Sequence, residues 1–212
     1  VTRHGLAVLL PLGKLILTAF IATLIFVCIT YLPIIKLIGM KISDYLKGAF
    51  EPWLIAFTTC SSAAALAVNL EASRKMGASK AIASFAIPLG NTINMNGTSI
   101  YMGVTAVFAA EVFGIDLTLA QQFQIVLMGV LAAVGTAGVP GAGLIMTTLV
   151  FTEVGIPLEA VALIAGIDRI LDMIRTSVNV LGDSLTALVV SKSEGVLGTE
   201  LMDQDTVVKE QL

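Results

Sequence analysis

Charge is what this sequence has least of. Of its 212 residues only 13% are charged and 57% are hydrophobic, with a mean hydropathy of +0.95, whereas soluble domains carry about 25% charged residues. A net charge of -3, 6% aromatic residues and the lack of any basic stripe exclude a nucleic-acid partner. The one histidine, His4, stands at the chain start, so Ser61 and Ser62 have no evident general base, which argues against a serine hydrolase. An aspartyl enzyme needs carboxylates on facing helices, yet Asp168, Asp172 and Asp183 share one predicted helix. No enzyme chemistry is expected. Cys28 and Cys60 lie in separate apolar segments without metal-site or disulfide spacing and read as free thiols. The chain starts at Val1 and shows no initiator methionine, charged leader or small-residue cleavage site, so no signal peptide is expected, and it reads as part of a longer one.

What the sequence has in place of charge is a series of apolar runs, which predict an all-α membrane protein with several segments around one interior. Residues 6 to 38 are long enough to cross about 30 Å of hydrocarbon, and residues 1–40 are taken as one transmembrane helix. Within 43–75, two short apolar arms flank a polar cluster at 58–62. An arm of about 13 residues reaches only about 20 Å, so the pair predicts a re-entrant hairpin whose tip stops inside the membrane. Such backbone survives there only when buried in protein or facing a wet cavity. Residues 81–110 make a full span broken by Gly90, Asn91, Asn94, Asn96 and Gly97. A second hairpin follows at 118–152 with the glycine-rich tip GTAGVPGAG at 135–143, then a polar span at 158–192. Residues 41–192 thus form one core, and the polar tail 193–212 is expected to be a mobile cytoplasmic extension.

A hairpin makes no net crossing and a span makes one, so the two hairpins enter from opposite faces and their tips can meet near the midplane. Inverted repeats with interrupted helices around a central site are the architecture of secondary transporters. Lys41, Lys47, Arg74, Lys75 and Lys80 flank the first hairpin, while Glu111, Asp116, Glu153 and Glu159 flank the second. The positive-inside bias places the first on the cytoplasmic side.

At about 100° per residue, Asp168, Asp172, Arg175, Asn179 and Asp183 fall within about 80° of arc on the last span. Each ionisable group there costs at least about 2.5 to 3.5 kcal/mol on insertion scales, so such a stripe normally faces an ion or substrate path; a purely structural Asp172–Arg175 salt bridge is the alternative. An ammonium and two carboxylates would find partners in Asp172 and the Arg175 fork, and Arg169 is placed to brace a carboxylate. NMNGT at 94–98 offers neutral oxygens and the Met95 thioether to a monovalent cation, or is simply a kink. The 135–143 run suits a mobile gate over a small anion, or close helix packing. Ser61 and Ser62 read equally as a carboxylate-binding tip or as an ordinary turn. A channel is the rival class, since a wet polar stripe suits it too.

Four ordered motifs, SSAAALAV at 61–68, NMNGT at 94–98, GTAGVPGAG at 135–143 and DRILDMIRTSVNVLGD at 168–183, resemble the dicarboxylate/amino acid:cation symporter family, the glutamate transporters. The resemblance covers nearly the whole chain and the later half of a family member, the transport core without the scaffold helices. It implies a glutamate-transporter-like core, a homotrimer made through the missing scaffold, and independent elevator-type movement of each core with the second hairpin as gate. It implies import of glutamate or aspartate with sodium as co-transported ion, no other cofactor, and a multi-pass place in the cell membrane, within the lipid bilayer. For the substrate it implies Asp172 on the amino group and Arg175 on the side-chain carboxylate. Thr176, Asn179, Ser61, Ser62, Thr98 and the tip residues Ala137, Gly138, Val139, Pro140 and Gly141 would complete the pocket, supported by Asp168 and Arg169. Sodium would use Gly90, Asn94, Asn179 and Asp183 at one site, and Thr92, Met95 and the carbonyls near Val134, Gly135 and Thr136 at another. Asn96 replaces an aspartate common near a third sodium site, which bears on stoichiometry. Asp172 favours an amino acid over a four-carbon dicarboxylate, Arg175 favours an acidic one, and Asp183 favours sodium over protons. Proton-coupled and dicarboxylate symport are the alternatives.

Overall fold

The computed structural model describes residues 9–200, and among them all regular structure is helical. Helix α1, Leu9–Phe26, runs through a π-helical turn, Val27–Tyr31, into α2, Leu32–Leu37. Pro33 opens α2; it has no N–H to give, and its ring would clash with the carbonyl four residues back, which the wider turn accommodates. The stretch Leu10–Leu37, with mean hydropathy 2.5, is the one helix among the described residues long and apolar enough to cross a bilayer alone.

Next come α3, Ile42–Gly48, α4, Phe50–Thr59, and α5, Ser62–Lys75. Helices α4 and α5 form a hairpin that turns on Cys60, at φ 56°, while the Ser61 hydroxyl accepts the Ala64 N–H at 3.1 Å and caps α5. Helix α6, Lys80–Ile93, and α7, Asn96–Val112, are separated by Asn94 and Met95, whose dihedrals leave the helical region. A second hairpin joins α8, Leu119–Val134, opened by a Thr118–Gln121 capping box, to α9, Ala142–Val154. Then follow α10, Glu159–Ala165, and α11, Asp168–Ser193.

Helix α11 is the axis of the molecule, packed against α4, α5, α6, α7 and α1. One apolar cluster, with Leu15, Met102, Phe151, Ile164 and Leu171, ties α1, α7, α9 and α10 to it. A second, with Tyr31, Ile35, Tyr45, Ile87 and Leu188, ties the π turn, α2, α3 and α6 to its other end. The outer face is apolar as well: Leu17 and Leu24 on α1, Phe123 and Val126 on α8 and Ile145 on α9 are exposed, while Asp172, Arg175 and Asp183 are buried. That is the reverse of a protein folded for water.

Two expectations from the sequence need correcting. The span expected to run unbroken from 158 to 192 is two helices, because the chain leaves helical geometry after Gly166 and restarts with Asp168 in the first turn of α11. This places a carboxylate at the positive end of the α11 dipole. The tail expected to be mobile from 193 is tied down as far as Glu200: the Gly198 N–H donates to the Gly77 carbonyl at 2.8 Å, and the Glu200 carboxylate takes the Lys80 N–H at 2.9 and 3.0 Å, serving as a charged cap on α6. Residues 201–212, and residues 1–8 of the first predicted helix, lie outside the described residues.

Tyr45 fastens α3 to the axis, donating to the Leu181 carbonyl at 2.6 Å and meeting the Ser184 hydroxyl at 3.0 Å, fully buried. Tyr45→Phe should therefore cost about 1–3 kcal/mol, read as a lowered midpoint in thermal unfolding of the complete protein in detergent.

Candidate functional site

Four irregular points of backbone gather along the first half of α11: the first hairpin's tip at 60–61, the break between α6 and α7, the second hairpin's tip at 135–141, and the restart of α11 at its own N-terminus. Gly97, at the start of α7, lies flush on the backbone of Arg175, where a β-carbon would collide with the Arg175 carbonyl. Only glycine permits that approach, and it lets the Gly97 N–H donate to Asn179 Oδ1 at 2.8 Å.

The centre of the site is charged. Arg175, 4% exposed, donates through Nε to Asp172 Oδ1 at 3.0 Å and through a terminal nitrogen to Asp168 Oδ1 at 3.3 Å. Its guanidinium lies 4.4 Å from the centre of the Tyr101 ring, and the Tyr101 hydroxyl donates to Asp168 at 2.9 Å. Asp172 also accepts from the Thr176 hydroxyl at 2.7 Å and from the Gly141 N–H of the second tip at 2.9 Å. Two carboxylates against one guanidinium leave the triad one negative charge in excess, in a setting where unpaired charge is expensive.

Beside it, Ser62, Met95, Thr98, Thr136, Ala137, Gly138, Val139, Asp172, Arg175, Thr176 and Asn179 line one cavity, with Gly143 added. Its volume is about 10 Å³, room for about one water molecule. The two tips meet over it, the Gly138 carbonyl accepting from the Ser61 hydroxyl at 3.0 Å and the Ala63 N–H at 3.1 Å. Asn179 donates to Thr98 Oγ1 and to the Met95 sulfur, each at 3.1 Å.

One turn along α11 a second polar group gathers. Asn94 donates to Asp183 Oδ1 at 2.8 Å and approaches the Asn179 carbonyl at 3.4 Å, and a β-carbon on Gly90 would lie 2.5 Å from Asp183 Oδ1. Gly90, Asn94, Asn179 and Asp183 are therefore brought together. Of the other predicted cation set, Met95 and Thr136 line the cavity, while the exposed Thr92 hydroxyl turns to the Leu89 carbonyl; Val134, Gly135 and Thr136 are expected to contribute through their backbone carbonyls. Asn96 donates to the Tyr31 hydroxyl at 3.1 Å and to Asn94 Oδ1 at 2.6 Å. Pro140 is exposed at the tip.

Arg169 braces no carboxylate. It points out of the stripe and donates to the Thr58 carbonyl at 2.9 Å, pinning the first hairpin's tip, whose Cys60 sulfur lies 3.7 Å from the Arg169 carbonyl.

The whole arrangement of two short hairpins, a broken helix and a charged axis can be set beside known proteins. The Sodium:dicarboxylate symporter family matches residues 1–193. The chain belongs to that family. It is 38% identical over 200 residues to the proton/sodium-glutamate symport protein of Geobacillus stearothermophilus, covering 94% of this chain and 48% of that one. It is 37% identical over 194 residues to the proton/glutamate-aspartate symporter of Escherichia coli, covering 92% and 44%. It is 38% identical over 194 residues to the C4-dicarboxylate transport protein of Bacillus subtilis, covering 91% and 46%. The chain thus spans about half the length of the relatives it matches.

In this member of the symporter family, reading the sequence alone missed Tyr101 and Tyr31. Each is a single aromatic in an apolar run, with no periodic signal that it faces a charge, so nothing short of the fold could have found them. Asp168 holds both Tyr101 and Arg175, and removing one partner of a buried pair costs about 3–5 kcal/mol. Asp168→Ala should lose about 3 kcal/mol of stability, while Asp168→Asn, which keeps an acceptor, should lose less. Thermal unfolding of the two variants checks the order.

Proposed function

We propose that the protein containing this chain is a secondary-active symporter that imports an acidic amino acid, glutamate or aspartate, with sodium across the cell membrane. The observation that carries this is the buried Asp172–Arg175 pair, 3% and 4% exposed, set in mid-helix beneath two meeting hairpin tips. An α-ammonium would take over the Asp172 oxygen that now accepts from Gly141, and the side-chain carboxylate would take the Arg175 fork in bidentate fashion. Thr176, Asn179, Thr98, Ser61, Ser62 and the second tip would hold the α-carboxylate and close over it. The cavity of about 10 Å³ admits no amino acid, so one tip has to lift; the second hairpin, whose Gly141 leaves Asp172 as the ammonium arrives, is the gate.

Asp183 with Gly90, Asn94 and Asn179 suits sodium, which binds oxygen ligands and needs only one formal negative charge for balance. Of the relatives' names, one gives proton and sodium together, one gives protons alone, and one names a C4-dicarboxylate. Asp172 favours the amino acid, because a dicarboxylate brings no positive charge to it. The reading further holds the hairpins to be re-entrant, the protein multi-pass and trimeric through the half outside this chain, and the core at 41–192 to move elevator-fashion.

Complete protein reconstituted in vesicles is expected to accumulate labelled L-glutamate or L-aspartate only under an inward sodium gradient. Uptake that survives collapse of that gradient but follows a proton gradient would replace sodium with protons. Arg175→Cys is expected to cut acidic substrate uptake at least about a hundredfold, since a charge-assisted bidentate contact is lost in a dry site, while neutral amino-acid uptake is kept or gained. Unchanged acidic selectivity would remove Arg175 from the pocket.

A further inference from the structure

The contact between the two hairpin tips is a shared helix cap. Ala63 is in the first turn of α5, where N–H groups have no partner within the helix. Its N–H donates at 3.1 Å to the Gly138 carbonyl, contributed by the other hairpin. The Ser61 hydroxyl works in both directions, accepting from Ala64 at 3.1 Å and donating to the same Gly138 carbonyl at 3.0 Å. Lifting the second tip leaves the Ser61–Ala64 bond in place and hands the Ala63 N–H and the Ser61 hydroxyl proton to water.

Beside Gly138 also lies Asn91, on the last turns of α6. A β-carbon placed on Gly138 would lie 2.6 Å from the Ser62 hydroxyl, 2.9 Å from Asn91 Oδ1 and 3.1 Å from Asn91 Nδ2. The place a side chain would occupy on Gly138 is thus filled by the Ser62 hydroxyl and the Asn91 amide together. Asn91 Oδ1 is fully buried and has no hydrogen-bond partner. A buried acceptor left unpaired is costly, and Asn91 does not line the substrate cavity. Gly138 of the tip stands beside that oxygen, so lifting the tip would open it to water and relieve the cost.

We propose that Asn91 is a positioning residue of the gate, which opposes closure and sets how quickly a closed tip releases: its buried, unpartnered carbonyl is seated against Gly138, so that the shared cap on α5 pulls the tip down and the desolvated amide pushes it up. The balance keeps the closed arrangement from becoming a trap. This rests on the reading of the second hairpin as the gate. It assigns opposite effects to two neighbouring changes. Asn91→Leu keeps the branched skeleton of four side-chain heavy atoms and removes the polar group, so closure is favoured about fivefold or more. Gly138→Ala drives a methyl into Ser62 and Asn91, so closure is disfavoured.

The test uses the complete protein in lipid with Cys28→Ser, and spin labels on Thr59→Cys and Val139→Cys, both exposed at the tips. Tip-to-tip distances are measured without substrate. Asn91→Leu should raise the ratio of short to long distances about fivefold or more, and Gly138→Ala should lower it. An unchanged or lowered ratio in Asn91→Leu overturns the proposal, as does full closure in Gly138→Ala. In uptake assays Asn91→Leu should lower KM and kcat together, whereas a variant that merely folds poorly loses maximal rate at constant KM, an outcome that also counts against it. Because the distances need no substrate, a protein whose tips respond as stated but which carries no acidic amino acid refutes the functional reading and leaves the latch standing.

Discussion

A guanidinium buried in an apolar molecule has to be answered on every side, and the surroundings of Arg175 are organised by that demand. Asp172 lies one helical turn away, Asp168 two turns away, and the face of Tyr101 closes the remaining side. The restart of α11 at Asp168 brings that carboxylate to the helix's positive end. Without it Arg175 would keep Asp172 as its anion but lose the acceptor for its terminal nitrogen. The same demand explains why α11 is buried around nearly its whole circumference while the outer helices present leucine, isoleucine and phenylalanine outward. Charge inside requires partners, and partners require surrounding helices.

Backbone that is not helical has its own cost in such a setting, since free N–H and C=O groups there have no water to turn to. The molecule meets it by letting each irregular point serve another. The second tip's carbonyl caps α5, its Gly141 N–H is taken by Asp172, the first tip's Thr58 carbonyl is taken by Arg169, and the N–H of Gly97 is taken by Asn179. Because these bonds run between elements, moving one tip exchanges a small, countable set of hydrogen bonds and leaves the helices whole. Among the described residues, the side-chain atoms Asn69 Oδ1, Ser73 Oγ, Arg74 Nε and Asn91 Oδ1 are buried with nothing to receive them, and of these Asn91 is the one beside Gly138 of the second tip.

Much of this is legible in the sequence because short-range chemistry dictates it. The break at Asn94 and Met95 falls in NMNGT, the second tip falls in the glycine-rich run, and the charged stripe follows helical periodicity. What was not legible depends on contacts between distant residues. Gly166 looks like an ordinary small residue in an apolar run, and the stop after it reflects where Asp168 must point. Arg169 has the same neighbours in sequence whether it braces a carboxylate or crosses to the first hairpin, and the choice is made by the proximity of Thr58. The tail up to Glu200 carries no hydrophobic pattern, yet a single carboxylate finds the free N–H of Lys80. The π turn before Pro33 follows from proline chemistry, but its position in an otherwise uniform helix gives no signal in hydropathy.

The central claim is that Asp172 and Arg175 together recognise a molecule with a positive charge as well as a second carboxylate. Titration calorimetry of the complete protein with L-aspartate and with succinate, at fixed sodium, tests it most directly, because the two ligands share four carbons and two carboxylates and differ in the ammonium. L-Aspartate is expected to bind with succinate at least about a hundredfold weaker, since the excess negative charge at Asp172 would go unanswered. Equal affinities for the two would contradict it.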